Sequence, residues 1–237
     1  MINEDDTDTV DISKIVEFIL SAEKVYRDVA LGGMFDGNTD AQTGEWVKSE
    51  FAEEAPDLWV ETPEGPYSGM NMVRRRILPS SGFTSVDDMN AALSEYWNDD
   101  FKIESANLED ITTESINFTV IDGELYYFPA MACGIGTIFS GVIWELAEFE
   151  VLLQTDDLVI VSADVFVMAE GNLFRSAIVW RIVDNKIASR DFEWGEHVVW
   201  RDVPEAINWM VTSGRWTQEQ VDENWENGWF DEQELWE

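Results

Sequence analysis

The chain has a single histidine, His197, a single cysteine, Cys133, and only 14 lysine and arginine residues among 237. One cysteine excludes an intramolecular disulfide, and one histidine leaves a metal site or a catalytic pair without its usual second member. We therefore expect no cofactor, no metal site and no catalytic residue. No apolar run reaches about 18 residues, which predicts the absence of a transmembrane helix and of membrane insertion.

The N-terminus has neither the basic region nor the apolar region of a signal peptide. Two localisations stay open. The protein is cytoplasmic, or it is extracellular or in the cell wall and its signal has been removed.

Acidic residues dominate what is present. Forty-nine aspartates and glutamates give a formal net charge of −35. This charge repels nucleic-acid backbones and anionic lipids and attracts cationic partners, so we expect a basic protein partner and no direct nucleic-acid binding. Apolar residues still make up 45% and aromatics 13% of the chain, which is far too much for a disordered acidic segment, and we expect a true core.

Periodicity divides the chain into four predicted parts. These are a disordered acidic lead (1–10), a helical N-terminal part (11–115), an antiparallel sheet part (116–200), and a short helical, Trp-rich acidic tail (201–237). The tail is predicted to form two short helices, from Pro204 to Gly214 and from Thr217 to Asn227, with its tryptophans packed on the sheet or between the helices.

Two helices are predicted in the N-terminal part. Apolar residues recur at helical spacing from Asp11 until Gly32-Gly33, and Ser85 is a candidate N-cap for a second helix. Residues 33–70 are predicted to be irregular or short-helical. A short strand is predicted over Val73–Leu78, where the only basic cluster, Arg74-Arg75-Arg76, is expected to bind an acidic segment of the same chain.

The sheet part changes to a period of two. Asp122-Gly123 between strand-like residues indicates a hairpin, and we expect at least five antiparallel strands between Ile116 and Trp194. Further strands are predicted at 141–144, 147–155, 158–168, 173–183 and 186–194. The expected fold class is α+β, with N-terminal helices, an antiparallel sheet, and short C-terminal helices.

Isolated motifs carry little chemistry. Gly134-Ile135-Gly136 lacks the third glycine and the strand-to-helix setting of a dinucleotide loop. Paired carboxylates such as Asp156-Asp157 arise by chance among 49 acids. His197 follows Glu196 near a strand end and is interpreted as structural.

The order of elements resembles the IseA family of secreted bacterial inhibitors of peptidoglycan D,L-endopeptidases. The matching stretches are residues 22–26 (AEKVY), 83–93 (FTSVDDMNAAL), 96–100 (YWNDD), 121–127 (IDGELYY) and 188–194 (ASRDFEW). The resemblance implies helices followed by a cystatin-like curved sheet, in a protein inhibitor that acts outside the cell to regulate cell-wall hydrolysis.

Three functions stay open at this point. The first is a non-enzymatic inhibitor that binds a basic protein, with a cell-wall D,L-endopeptidase as the partner that the resemblance implies. The second is an acidic DNA mimic that blocks a nucleic-acid-binding protein. The third is a hydrolase with a carboxylate pair in a curved-sheet pocket. The predicted partner-binding residues are Ala130, Met131, Cys133 and Gly134, in an apolar loop that could alternatively belong to the core.

A charge at Met131 separates these two roles of the loop. If the loop is an exposed contact, Met131→Asp weakens partner binding and leaves the melting temperature unchanged. If the loop is core, the substitution costs a few kcal/mol of stability, because it buries an unpaired charge. Thermal unfolding and binding measured on the same variant decide between them.

Overall fold

The computed structural model describes residues 12–30, 52–61, 71–78, 81–105, 117–128, 142–169 and 172–231. These residues form four α-helices, which are α1 (Ile12–Ala30), α2 (Val86–Ser94), α3 (Pro204–Thr212) and α4 (Gln218–Glu226). Short 3₁₀ helices cover Asp99–Phe101, Trp200–Asp202 and Trp229–Asp231. The predicted acidic lead, residues 1–10, lies outside the described residues.

Side-chain caps begin two of the helices where the sequence predicts them. The Ser85 hydroxyl accepts a hydrogen bond from the backbone N–H of Asp88 at 3.1 Å. At α4, the Thr217 hydroxyl accepts from the Gln220 N–H at 3.1 Å, and the Gln220 side chain accepts from the Thr217 N–H at 2.8 Å. This reciprocal capping box satisfies N–H groups that a helix start otherwise leaves without partners.

The strands form two antiparallel four-stranded sheets. The first sheet has the order β1-β2-β4-β3, with β1 (Ala52–Glu61), β2 (Asn71–Ile77), β3 (Asn117–Ile121) and β4 (Glu124–Phe128). The second sheet is a meander in the order β5-β6-β7-β8, with β5 (Val142–Gln154), β6 (Leu158–Ala169), β7 (Asn172–Val183) and β8 (Lys186–Val198).

Tight turns set the register of two hairpins. Asp122 and Gly123 join β3 to β4 with φ values of 52° and 84°, and Asp184 and Asn185 join β7 to β8 with φ values of 50° and 59°. Positive φ at both central residues matches the twist of the flanking strands. The Asp122-Gly123 hairpin is confirmed.

Two clusters of buried side chains hold the elements together. In the first, α1 and α2 pack on one face of the second sheet and on residues of the first sheet. Its members include Ile19 of α1, Leu93 of α2, Phe118 of β3 and Trp180 of β7. In the second, α3, α4 and the nearby 3₁₀ helices pack against the other face of the second sheet. Trp216 and Trp229 of the tail pack against Trp200 and each other there with ring centroids 4.9–6.2 Å apart, which confirms the predicted packing for these two, whereas Trp225 is 44% exposed.

The fold class is α+β, as predicted, with helices and a curved, unclosed antiparallel sheet. Among the described residues, six strands follow residue 116, but they divide between two sheets, which the sequence did not predict. The expectation of irregular or short-helical structure over residues 33–70 is wrong at Ala52–Glu61, which forms β1. Its acidic residues and Pro56 are uncommon in strands, so the sequence pattern did not predict β1. It tolerates proline because it lies at a sheet edge and its pairing register shifts between Ala55 and Trp59.

Gly195 is required by a close approach of two strands. A Cβ at Gly195 would lie 1.5 Å from the carbonyl oxygen of Arg175, where the β7–β8 pairing shifts between Arg175 and Ala177. We predict that Gly195→Ala lowers the free energy of unfolding by about 1–3 kcal/mol, because the backbone must move. The control is Glu193→Ala at an exposed position of the same strand. Equal urea midpoints for the two variants would contradict the prediction.

Candidate functional site

A buried ion pair joins α1 to the second sheet. Trp180 and Arg190 are direct cross-strand partners on β7 and β8, and both reach Glu23 on α1. The Trp180 indole N–H donates to Glu23 Oε1 at 2.7 Å, and Arg190 Nη1 donates to Glu23 Oε2 at 2.8 Å. The Arg190 and Glu23 side chains are only 6% and 4% exposed. Both carboxylate oxygens therefore have a donor.

Aromatic rings enclose the guanidinium group. Arg190 lies 4.2 Å from the ring centroid of Tyr26 and 5.3 Å from that of Trp97, within cation–π range. The Trp97 indole N–H donates to the carbonyl oxygen of Ala22 at 3.1 Å, which ties the end of α2 to α1. These contacts join α1, the end of α2 and the second sheet.

The burial of the ion pair shifts the pKa of Glu23. Burial raises the pKa of the Glu23 carboxyl above its ordinary value, against the lowering effect of Arg190 and of the two hydrogen bonds. The raised pKa means that the pair costs stability at neutral pH, since a buried charge loses its hydration. We name the group of Glu23, Trp180 and Arg190 the Glu23 clasp.

A small cleft opens beside the clasp. It has a volume of about 230 Å³ and is lined by Glu23 and by Leu20, Lys24, Tyr26, Arg27 and Trp144. Glu23 is the only carboxylate among these lining residues, and a carboxylate-pair hydrolase needs two. The lining of this cleft therefore lacks the carboxylate pair that such a hydrolase needs.

His197 is held in a structural environment. Its Nε2 lies 3.1 Å from the side-chain oxygen of Asn172, and its ring stands edge-on to Phe174 with centroids 5.3 Å apart. Neither Asn172 nor Phe174 is an acid or a nucleophile.

The outer face of the second sheet, opposite α1, carries two rows of paired residues. Cross-strand register places Glu148, Asp164, Ala177 and Glu193 in one row. It places Glu150, Ser162, Val179 and Asp191 in the other. The five carboxylates of these two rows are exposed. Each row therefore has acids on both edge strands, and the first row has a third acid, Asp164, on the inner strand β6.

Like charges on the outer face lie directly opposite each other. Glu148 pairs with Asp164 across β5 and β6, an arrangement that destabilises a sheet. Arg175 offsets part of this repulsion through its ion pair with Asp164 at 2.8 Å, and Arg181 lies one row further along. Together with Glu196, the exposed cross-strand partner of Arg175, six carboxylates face two guanidiniums, which leaves the outer face negative.

Helix α4 adds a second acidic surface. Its exposed carboxylates fall at positions i, i+3, i+4 and i+7, on one face of the helix, and are Glu219, Asp222, Glu223 and Glu226. Acids at i and i+4 repel each other, and an acid in the last turn opposes the helix dipole. The buried Val221 and the capping box hold the helix despite these costs.

A broad groove separates β5 from α3. Its volume is about 570 Å³, and its lining includes Glu145, Leu146, Glu205, Asn208, Trp209 and Thr212. Leu146 and Trp209 pack against the second core and are partly buried, while the two glutamates are exposed.

The structure describes only some of the residues that the sequence analysis singled out. Ala130, Met131, Cys133 and Gly134 lie outside the described residues. In the basic cluster, Arg76 binds an acid of the same chain, as expected, through an ion pair with Glu124 at 3.0 Å.

Sequence reasoning missed the Glu23 clasp and the groove. The signal for the clasp was a glutamate four residues after Ile19, on the apolar face of α1. The groove has no local signal, because its walls are about 60 residues apart in sequence.

The part of the chain that the structure describes contains no cluster of three or more potential metal-binding side chains. None of its helices is both long and apolar enough to cross a membrane. No protein family, curated protein or solved structure matches this chain. What the fold and these surfaces define is an α+β protein with a clasped core and an acidic outer face.

The Glu23 clasp predicts a charge-dependent loss of stability. Arg190→Met leaves the Glu23 carboxylate buried without its cation, which we expect to cost about 3–5 kcal/mol at neutral pH. The double variant Glu23→Gln/Arg190→Met removes both charges and keeps an acceptor for Trp180, so it should recover most of that loss.

The pH dependence follows from the direction of the pKa shift. The folded-state pKa of Glu23 is raised, so its contribution to stability is fully present below the unfolded value and is lost as pH rises through the folded value. Removing Arg190 raises that folded value further. Urea unfolding at about pH 5 and about pH 8 should therefore show a smaller deficit of Arg190→Met, relative to wild type, at the lower pH. A deficit that is independent of pH would contradict this account.

Proposed function

We propose that this protein is a non-enzymatic inhibitor that binds a basic protein through its acidic outer face. The partner class that the resemblance suggests is a peptidoglycan D,L-endopeptidase, which would place the protein outside the cell or in the cell wall. The observation that carries the proposal is the outer face itself, where Glu148 and Asp164 face each other on an exposed sheet.

The energetics of the outer face favour a cationic partner. Like charges opposite one another cost stability in the free protein, and a lysine or arginine from a partner relieves that repulsion on binding. Ser162, Ala177 and Val179 are short side chains on the inner strands, so that a partner can reach Asp164 and the carboxylates of the edge strands. The net charge of −35 attracts such a partner over longer distances.

The same feature separates the proposal from a general solvating role. A surface selected only for solubility gains nothing from two carboxylates in direct cross-strand opposition, since it can place them apart at no cost. Arg175 offsets the charge of Asp164 within the protein, and a cation from a partner would offset the charge of Glu148.

The acidic stripe on α4 favours a second candidate, the DNA mimic. Four carboxylates along one exposed helix face present a row of negative charge, as a nucleic-acid backbone does. In this candidate the basic partner is a nucleic-acid-binding protein, and the inhibitor competes with DNA for it.

The test is association with a purified D,L-endopeptidase catalytic domain, measured by biolayer interferometry at increasing ionic strength. We expect the association rate to fall by about tenfold or more between low and physiological salt, while dissociation changes less. A DNA-binding domain of matched charge serves as the second analyte, and tight binding to that domain alone would favour the DNA mimic. Failure to bind either protein, or association indifferent to salt, would overturn the proposal.

The substitution Glu148→Gln tests the outer face by two measurements on one variant, the association rate and the stability of the free protein. It should slow association and at the same time stabilise the free protein by a few tenths of a kcal/mol, because it removes the repulsion with Asp164. The matched control is Glu95→Gln, which removes the same charge from an exposed position at the end of α2. If both variants slow association equally and neither raises stability, the outer face has no special role.

A further inference from the structure

The groove between β5 and α3 combines an apolar floor with an acidic rim. Its volume of about 570 Å³ falls within the range of binding pockets. Leu146 and Trp209 supply the apolar surface, and both are anchored in the second core. Glu145 comes from β5 and Glu205 from the first turn of α3, so each wall contributes one exposed carboxylate.

The groove continues into the outer face. Leu146 packs on the side of the sheet that α3 covers, and Glu148, two residues further along β5, lies on that same side. The groove is therefore the place where apolar surface borders directly on the acidic rows. Its aromatic wall already contacts one cation, because the guanidinium of Arg215 lies 4.4 Å from the ring centroid of Trp209.

We propose that this groove receives a segment of the basic partner in which an apolar side chain is flanked by lysine or arginine. The apolar side chain lies on Leu146 and Trp209, and the flanking cations meet Glu145 and Glu205. This inference rests on the proposed function and identifies where the partner is anchored. Charge steers association, but desolvated apolar contacts slow dissociation, and aromatic anchors supply much of the affinity of protein interfaces.

The charges of the chain decide against other occupants. An anionic ligand would meet two rim carboxylates, and the nearby cation, Arg215, is not a lining residue and lies on the ring of Trp209. A second copy of this chain would bring another −35 charges to the same surface. A cationic, partly apolar protein segment satisfies both the floor and the rim.

Asn208→Arg tests the groove. Asn208 is an exposed lining residue of α3, so a longer cationic side chain there fills the groove and repels a basic segment without disturbing the core. The matched control is Gln154→Arg, which adds the same charge at the exposed end of β5, outside the lining. Both variants are compared with wild type by biolayer interferometry against the D,L-endopeptidase catalytic domain.

We expect Asn208→Arg to weaken binding at least tenfold, mostly through faster dissociation, and Gln154→Arg to change it less than threefold. If wild type binds and the two variants weaken binding equally, the groove is not the anchor, although the proposed function stands. If wild type does not bind, the proposed function falls and this inference falls with it. Unchanged melting temperatures show that the variants are folded, and Thr212→Arg, at a second exposed lining position, replaces Asn208→Arg if that variant does not fold.

Discussion

The contact of Glu23 with Trp180 and Arg190 is the interaction on which the rest of the structure depends. It joins the longest described helix to the middle of the second sheet, and the rings of Tyr26 and Trp97 that enclose Arg190 bring α2 into the same unit. A buried ion pair is a poor source of net stability, because desolvation offsets the attraction between its charges. The contact fixes the position of α1 on one face of the second sheet, because Trp180 and Arg190 each donate to a different oxygen of the same carboxylate.

The chain tolerates its negative surface because its cores are aromatic and well packed. Repulsion among 49 acidic residues opposes compaction, and the 12 tryptophans and 13 phenylalanines supply large apolar areas that oppose it in turn. Acids also protect the sheet edge. Strand β5 is a long edge strand, and its glutamates and two register shifts discourage pairing with other chains. The same glutamates form part of the proposed partner surface, so one set of residues can serve both purposes.

Local signals in the sequence were sufficient for much of the fold and for little of the candidate site. Ser85, Thr217 and the Asp122-Gly123 turn act within a few residues, and their caps and turn were predictable for that reason. Strand β1 was not, because its acids and Pro56 are tolerated only at an edge that the sequence does not reveal. The cross-strand opposition of Glu148 and Asp164 depends on a register set by the whole hairpin, including a shift after Ile143. The groove forms only where β5 and α3 lie side by side, and this tertiary arrangement has no local signal in the sequence.

Hydrogen–deuterium exchange of the protein with and without the D,L-endopeptidase catalytic domain tests the central claim most directly. The account predicts that the partner protects backbone amides of β5 and α3, which border the groove and the acidic rows, and leaves exchange in α1 unchanged. Protection confined to α1 and the cleft beside the Glu23 clasp, or no protection anywhere, would contradict it.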